Sequence, residues 1–228
     1  GKVTYKDFQF IPLDAPPTDT PPRTGPFLAN ATRNGWADQH SIVIWTRTTR
    51  NSEMLTDGKQ FVDIDQKLAG QLAKQTDADK LLSVQLPEGT TLDEMFGACP
   101  GAAGRVRLTY FPIKQRHAAK QTRWITTSAE SDFTAQWKIE GLKPNTEYGT
   151  VVEAQTLEGQ ASAVVRGAFR TAPPEENPQN LLFCITTCHD FIRRDDGLQG
   201  HQIYPAMNKF KPDFIVHEGD IEYYDKPA

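Results

Sequence analysis

Two short stretches near the end of the chain hold the side chains best suited to chemistry. Thr187-Cys188-His189-Asp190 offers a thiol, an imidazole and a carboxylate in succession, and Glu218-Gly219-Asp220 offers two carboxylates around a glycine. Sulfur, nitrogen and oxygen donors gathered this densely are metal-ligand types, so coordination is the chemistry they suggest. The glycine before Asp220 leaves its carboxylate uncrowded on one side. His217 immediately precedes the second group and is open to two readings, a functional group or a hydrogen-bonded core histidine. Arg193-Arg194 follows the first group and can grip an anion through charge-assisted hydrogen bonds, or simply form a solvated turn with Asp195-Asp196.

Each cluster needs an element to carry it. Leu181 to Thr186 is an apolar run rich in strand formers, and Asp213 to His217 is another. Between them, Leu198, Ile203, Tyr204, Met207 and Phe210 recur at helical spacing, which predicts a helix over 197–210 closed by Pro212. Strand, helix and strand within about forty residues make a βαβ unit, with parallel strands and a right-handed crossover. Both clusters then leave the carboxyl ends of neighbouring strands about 4.8 Å apart, where open α/β sheets bind ligands.

The 228 residues suffice for one large domain or two of ordinary size, and 38% hydrophobic with 24% charged residues suits a globular protein. A formal charge of -4, from 29 acidic and 25 basic residues without a run of five or more like charges, argues against electrostatic binding to nucleic acid or a membrane surface. No apolar stretch reaches the eighteen or so residues of a transmembrane segment. Cys99, Cys184 and Cys188 can form at most one bridge, and Cys184, inside a strand, reads as a small buried hydrophobe. The chain starts without methionine or an apolar export segment, as a processed or a recombinant chain would.

Residues 1–26 carry six prolines and predict an extended arm, with Tyr5, Phe8 and Phe10 as anchors. From 27 to 172 the pattern is all-β. Strands are expected at 41–47, 105–111, 123–127, 134–139, 148–154 and 164–171. Gly141-Leu142-Lys143-Pro144-Asn145-Thr146-Glu147-Tyr148 resembles the corner of fibronectin type III domains, where a tyrosine hydroxyl returns to upstream backbone and locks two sheets. An insertion at 51–104 interrupts this sandwich. It is expected to hold an amphipathic helix within 61–80 and a strand at 81–86, and its plainer reading is a surface excursion without function. Residues 173–180, with three prolines and two acids, form a linker. His40, His117 and His201 read as ordinary structural histidines.

The order of Phe27 to Asn30, Ile44-Trp45-Thr46-Arg47, the tyrosine corner, Phe169-Arg170-Thr171-Ala172-Pro173, the Cys188 strand and His217-x-Gly219-Asp220 resembles the PhoD-type alkaline phosphatases and phosphodiesterases. These are metallophosphoesterases with an N-terminal fibronectin-like domain. The resemblance implies an all-β fibronectin/Ig-like sandwich followed by the start of an α/β metallophosphatase domain at 181–228, in an exported, periplasmic or extracellular protein. It implies a dinuclear centre of iron plus calcium or another divalent cation, with Cys188 as thiolate ligand and Asp220 as the bridge. The reaction would be hydrolysis of a phosphate monoester or diester by metal-activated water.

Three features depart from the family pattern: His189 after the cysteine, Glu218 before the glycine, and Ile221-Glu222-Tyr223-Tyr224 after the aspartate. His189 is open to three roles, extra ligand, phosphate-contacting donor or general acid. The family's later ligands would lie beyond residue 228, so the chain is expected to be an N-terminal portion, inactive alone. Two alternatives stand beside this reading: a non-catalytic module binding a polysaccharide or a protein, and a sulfate-ester hydrolase on the same scaffold.

Overall fold

The computed structural model describes residues 25–74, 78–190 and 193–221. The expected arm therefore lies outside the described residues except at 25 and 26, as do Glu222, Tyr223 and Tyr224. By backbone proximity the described chain divides into two units. One holds residues 25–53, 99–183 and 211–214, and the other holds 54–74, 78–98, 184–190, 193–210 and 215–221.

The first unit is built from strands whose side chains alternate. β1 (Thr32–Ala37), β2 (Ile42–Arg47), β3 (Gly104–Pro112), β4 (Lys120–Gln121), β5 (Ile125–Thr127), β6 (Thr134–Ile139), β7 (Glu147–Gln155) and β8 (Ala161–Arg170) form two sheets. One has the order β1-β2-β6 and the other β4-β3-β7-β8, with β5 also paired to β3. All these pairings are antiparallel. In β2, Ile42, Ile44 and Thr46 are buried while Val43, Trp45 and Arg47 are less so, the period of two that a half-buried strand requires. The buried faces meet in one core: Ile42, Ile44, Trp137 and Ile139 from the first sheet pack with Val106, Leu108, Tyr148, Val152 and Phe169 from the second. Two antiparallel sheets closing on a shared core are a β-sandwich.

Buried threonines in this core are hydrogen-bonded, as burial demands. Thr46 donates to the Ala31 carbonyl at 2.8 Å, Thr171 to the Lys143 carbonyl at 2.6 Å, and the Thr48 and Thr127 hydroxyls lie 2.6 Å apart. Arg47 ends β2 as a clamp. Its guanidinium reaches the Cys99 carbonyl at 2.6 Å and the Asp132 carboxylate at 2.9 Å, tying the strand end to two returns of the chain.

The tyrosine corner closes as the sequence predicts. The Lys143 amide donates to Tyr148 Oη at 2.9 Å, while the Tyr148 ring stacks on Phe169 with centroids 5.2 Å apart. Tyr148→Phe keeps the ring and removes the acceptor, so we expect a loss of about 1 kcal/mol in urea unfolding at constant m-value.

Sequence reasoning missed β1, whose residues Thr32 to Ala37 hold one glycine, one asparagine and no apolar alternation. Antiparallel pairing to β2, interrupted by a register shift between Asn34 and Ala37, makes it a strand despite its propensities.

In the second unit, α1 (Gln66–Lys74) falls within the helix expected at 61–80, and α2 (Ala78–Gln85) takes the place of the strand expected at 81–86. The apolar run at 81–86 is thus helical rather than extended. A short apolar run does not distinguish the two states by periodicity alone. Around these helices the backbone of 54–98 closes on itself. Lys59 donates to the Glu94 carbonyl at 2.9 Å, Phe96 to Lys59 at 2.8 Å, and Gly97 to Leu55 at 2.7 Å. Thr91 and Glu94 form a capping box, the Thr91 amide donating to the Glu94 carboxylate at 2.8 Å. That bond and its neighbours hold the Glu94 carboxyl below its usual range.

Residues 181–221 contain β9 (Phe183–Thr186), α3 (Ile203–Lys209) and β10 (Phe214–His217), and β9 pairs with β10. Asp213 donates to the Leu182 carbonyl at 2.6 Å and Glu218 to that of Thr186 at 2.8 Å. Partner numbers rise together, so the strands run in the same direction with α3 between them in sequence.

Helix α3 is half the predicted length. Residues 196–200 close instead as a tight loop, with Asp196 and Gly200 exchanging backbone hydrogen bonds at 3.1 and 3.0 Å. The Asp196 carboxylate accepts from Leu198 and Gln199 at 2.8 and 2.7 Å, and Gly200 supplies a φ of +79°. Pro205 sits in the first turn of α3, where its missing amide costs nothing.

Candidate metal centre

Cys188 and Asp220 stand just past the ends of β9 and β10, in the second unit. The His189 amide donates to the Asp220 carbonyl at 2.9 Å, which continues the strand pairing into the two turns. Both residues adopt left-handed backbone, with φ of +60° at Cys188 and +44° at Asp220, next to Gly219 at +70°. Single non-glycine residues in that region cost roughly 1–2 kcal/mol, and such strain gathers where a side chain must be aimed. Here it brings the Cys188 thiol to 3.5 Å from Asp220 Oδ2, to which it donates. Thr187 Oγ1 lies 3.6 Å from the same sulfur and donates to the Gly219 carbonyl at 3.4 Å.

The donor pair fits a cation. An ion holding thiolate sulfur at about 2.3 Å and carboxylate oxygen at about 2.1 Å places those atoms about 3.5 Å apart at a near-tetrahedral angle. Sulfur with oxygen suits iron or zinc, and a carboxylate carries two oxygens. Among the described residues no three His, Cys, Asp or Glu side chains already surround one point.

His189 turns its ring to other imidazoles. Its centroid lies 4.7 Å from that of His201, 6.4 Å from that of His217 and 5.7 Å from the Tyr204 ring, all edge-on. His201 Nε2 and both ring nitrogens of His217 are sealed from solvent without a hydrogen-bond partner among the described residues. A sealed polar atom left unpaired costs about 1–3 kcal/mol. His201 is the residue that sequence reading passed over. Nothing in the sequence marks it, because the loop at 196–200 and the start of α3 decide where its ring goes.

The two arginines diverge. Arg193 is 82% exposed at its side chain, with Nε 3.7 Å from the carboxylate of the buried Asp190. Arg194 donates from Nε to the Gly197 carbonyl at 3.1 Å and lays its guanidinium over the Phe96 ring at 5.5 Å. Phe96 belongs to 54–98, so that segment contributes a wall beside the loop following Cys188. Cys184 is half-buried, and the Cys99 thiol, in the other unit, has its pKa raised by burial.

Asp196 offers an independent check on this loop. The Gln199 and Leu198 amides favour its carboxylate and lower its pKa. Its folded pKa being depressed, the loop gains stability that is present above the unfolded pKa and lost as pH falls through the folded one. Carbon-detected NMR titration should give Asp196 a midpoint below that of an unstructured aspartate, and Asp196→Asn should abolish the acid-induced shifts of the Leu198 and Gln199 amides.

No protein-family model and no curated protein matches this sequence. Among solved structures, the chain is similar to one titled "Structure of PhoD", at 17% identity and a TM-score of 0.51, over 90% of this chain and 30% of that one. The chain thus spans less than a third of that structure, and at this identity the likeness is one of fold. Smaller likenesses reach the sensor domain of the anti-sigma factor RsgI4 of Pseudobacteroides cellulosolvens, at 13% identity and TM-score 0.32 over 63% of this chain and 93% of that one. A fibronectin type III domain from the human KIAA0970 protein matches at 11% identity and TM-score 0.30, over 67% and 80%. No described helix is long and apolar enough to cross a membrane.

Proposed function

We propose that this chain is part of a metal-dependent phosphoric ester hydrolase of PhoD type, its sandwich preceding the opening βαβ of an α/β catalytic domain. The observation that carries this reading is the 3.5 Å approach of Cys188 Sγ to Asp220 Oδ2 at the ends of two paired strands. The thiolate and the carboxylate would hold iron together with calcium or another divalent cation, which when bound polarises the phosphoryl group and activates water for in-line attack on a monoester or diester. Cys188 contributes a sulfur that a trivalent ion keeps deprotonated. Asp220 contributes two oxygens, enough to serve two ions. Arg193, exposed beside the cysteine loop, would meet an anionic substrate, while Arg194 braces that loop through Gly197 and Phe96. By the same likeness the protein would be exported.

The test uses the protein encoded by the complete gene. Iron near one equivalent, a visible thiolate-to-iron absorption band that Cys188→Ser removes, and hydrolysis of p-nitrophenyl phosphate or its diester are expected. A folded, colourless, metal-free protein inert to both esters overturns the reading, and activity on p-nitrophenyl sulfate alone moves it to sulfate esters.

One observation favours a second reading. Trp36 on β1 is 80% exposed, and an exposed indole is the kind of platform a polysaccharide or protein partner uses. A binding module would lose its ligand on Trp36→Ala and keep it on Cys188→Ser. A hydrolase shows the reverse dependence in turnover.

A further inference from the structure

We infer that His189, His201 and His217 form a cation site of their own, suited to a borderline divalent ion such as zinc or cobalt. This goes beyond the hydrolase reading and stands without it, because it uses neither Cys188 nor Asp220. The three imidazoles come from separate places in the fold: the turn after β9, the residue two before α3, and the end of β10. Their rings nevertheless gather edge-on, with His189 at 4.7 Å from His201 and 6.4 Å from His217. Two imidazoles sharing a tetrahedral ion at about 2.1 Å per bond put their centroids about 5 Å apart, and wider bond angles stretch this to about 6 Å. The two separations lie just outside that range, 4.7 Å below it and 6.4 Å above it, so the rings are gathered but not yet at ligating positions.

The second observation is the state of the nitrogens. His201 Nε2, His217 Nδ1 and His217 Nε2 are closed off from water and accept or donate no hydrogen bond among the described residues. An imidazole lone pair with neither water nor a donor to meet it is matched by a cation, and neutral imidazole is a ligand of choice for zinc, cobalt and nickel. At rest the donors do not yet enclose a common point. Turning the His189 ring about its soft terminal torsion is the adjustment that capture requires.

Cobalt(II) titration of the chain carrying Cys188→Ser and Asp220→Asn provides the test, since those substitutions remove the sulfur and carboxylate of the neighbouring pair. One equivalent of cobalt should bind, with hyperfine-shifted exchangeable imidazole N–H resonances, one per ligating ring. Adding His201→Gln should weaken binding at least tenfold and remove one of those resonances. Absence of binding in the Ser/Asn background, or binding and resonances unchanged by His201→Gln, overturns the site. Loss of metal on Cys188→Ser alone bears on the hydrolase reading and leaves this one standing. If circular dichroism shows that the double substitution prevents folding, the wild-type chain and its His201→Gln variant are compared instead, and an undiminished set of shifted resonances then refutes the proposal.

Discussion

On the proposed hydrolase reading, Asp220→Asn is expected to lower kcat/KM for phosphoester hydrolysis by more than about a hundredfold, and to release metal. Removing a residue that merely orients a metal ligand typically costs 10–100-fold, so removing Asp220, in its proposed role as a direct and bridging ligand, should exceed that range. A hundredfold corresponds to about 2.7 kcal/mol of lost transition-state stabilisation. Asparagine keeps the shape of the side chain but offers one neutral oxygen in place of two charged ones, so it can neither balance nor span two cations. Stability of the metal-free protein should change little, because Asp220 is exposed. Parallel measurement of turnover, metal content and melting temperature checks this. Turnover within threefold of the parent, with metal retained, would show that the carboxylate is no ligand. Cys188→Ser should act in the same direction, with the sulfur-dependent absorption lost first.

Phe169→Ala should cost about 3–5 kcal/mol of stability, enough to threaten folding of the sandwich at ambient temperature. The ring is only 2% exposed and stacks on Tyr148 with an interplanar angle of 11°. Its removal leaves a cavity between the sheets and forfeits a ring pair worth about 0.5–1.5 kcal/mol beyond its area. Phe169→Leu, which fills much of the space, should lose less than half as much. Urea unfolding followed by tryptophan fluorescence measures both, through the buried Trp137 of the same core. Equal losses from the two substitutions would mean that ring stacking, rather than volume, decides the energy.

The sandwich was largely legible in the residues. Strands such as 134–139 carry alternating burial and β-branched or aromatic side chains, and the Tyr148 corner is a local signal whose partners lie within a few residues. β1 was not legible, because its strand character comes from β2 rather than from itself. Nor were α1 and α2 fully legible: the apolar residues at 81–86 suit helix and strand alike, and tertiary surroundings choose. The shortened α3 has a local cause that was present but unread, the Asp196 carboxylate capturing two amides ahead of the helix.

What the chain alone determined is the set of donors at Cys188 and Asp220, the strands carrying them and the turn chemistry after each, since all of these rest on neighbours in sequence. Only the folded arrangement decided that the sulfur and carboxylate approach to 3.5 Å, that residues 54–98 group with the strand-end loops, and that His201 joins His189 and His217. These depend on which distant segments pack together. Periodicity reports the face an element buries, and it says nothing of the partner that will cover it.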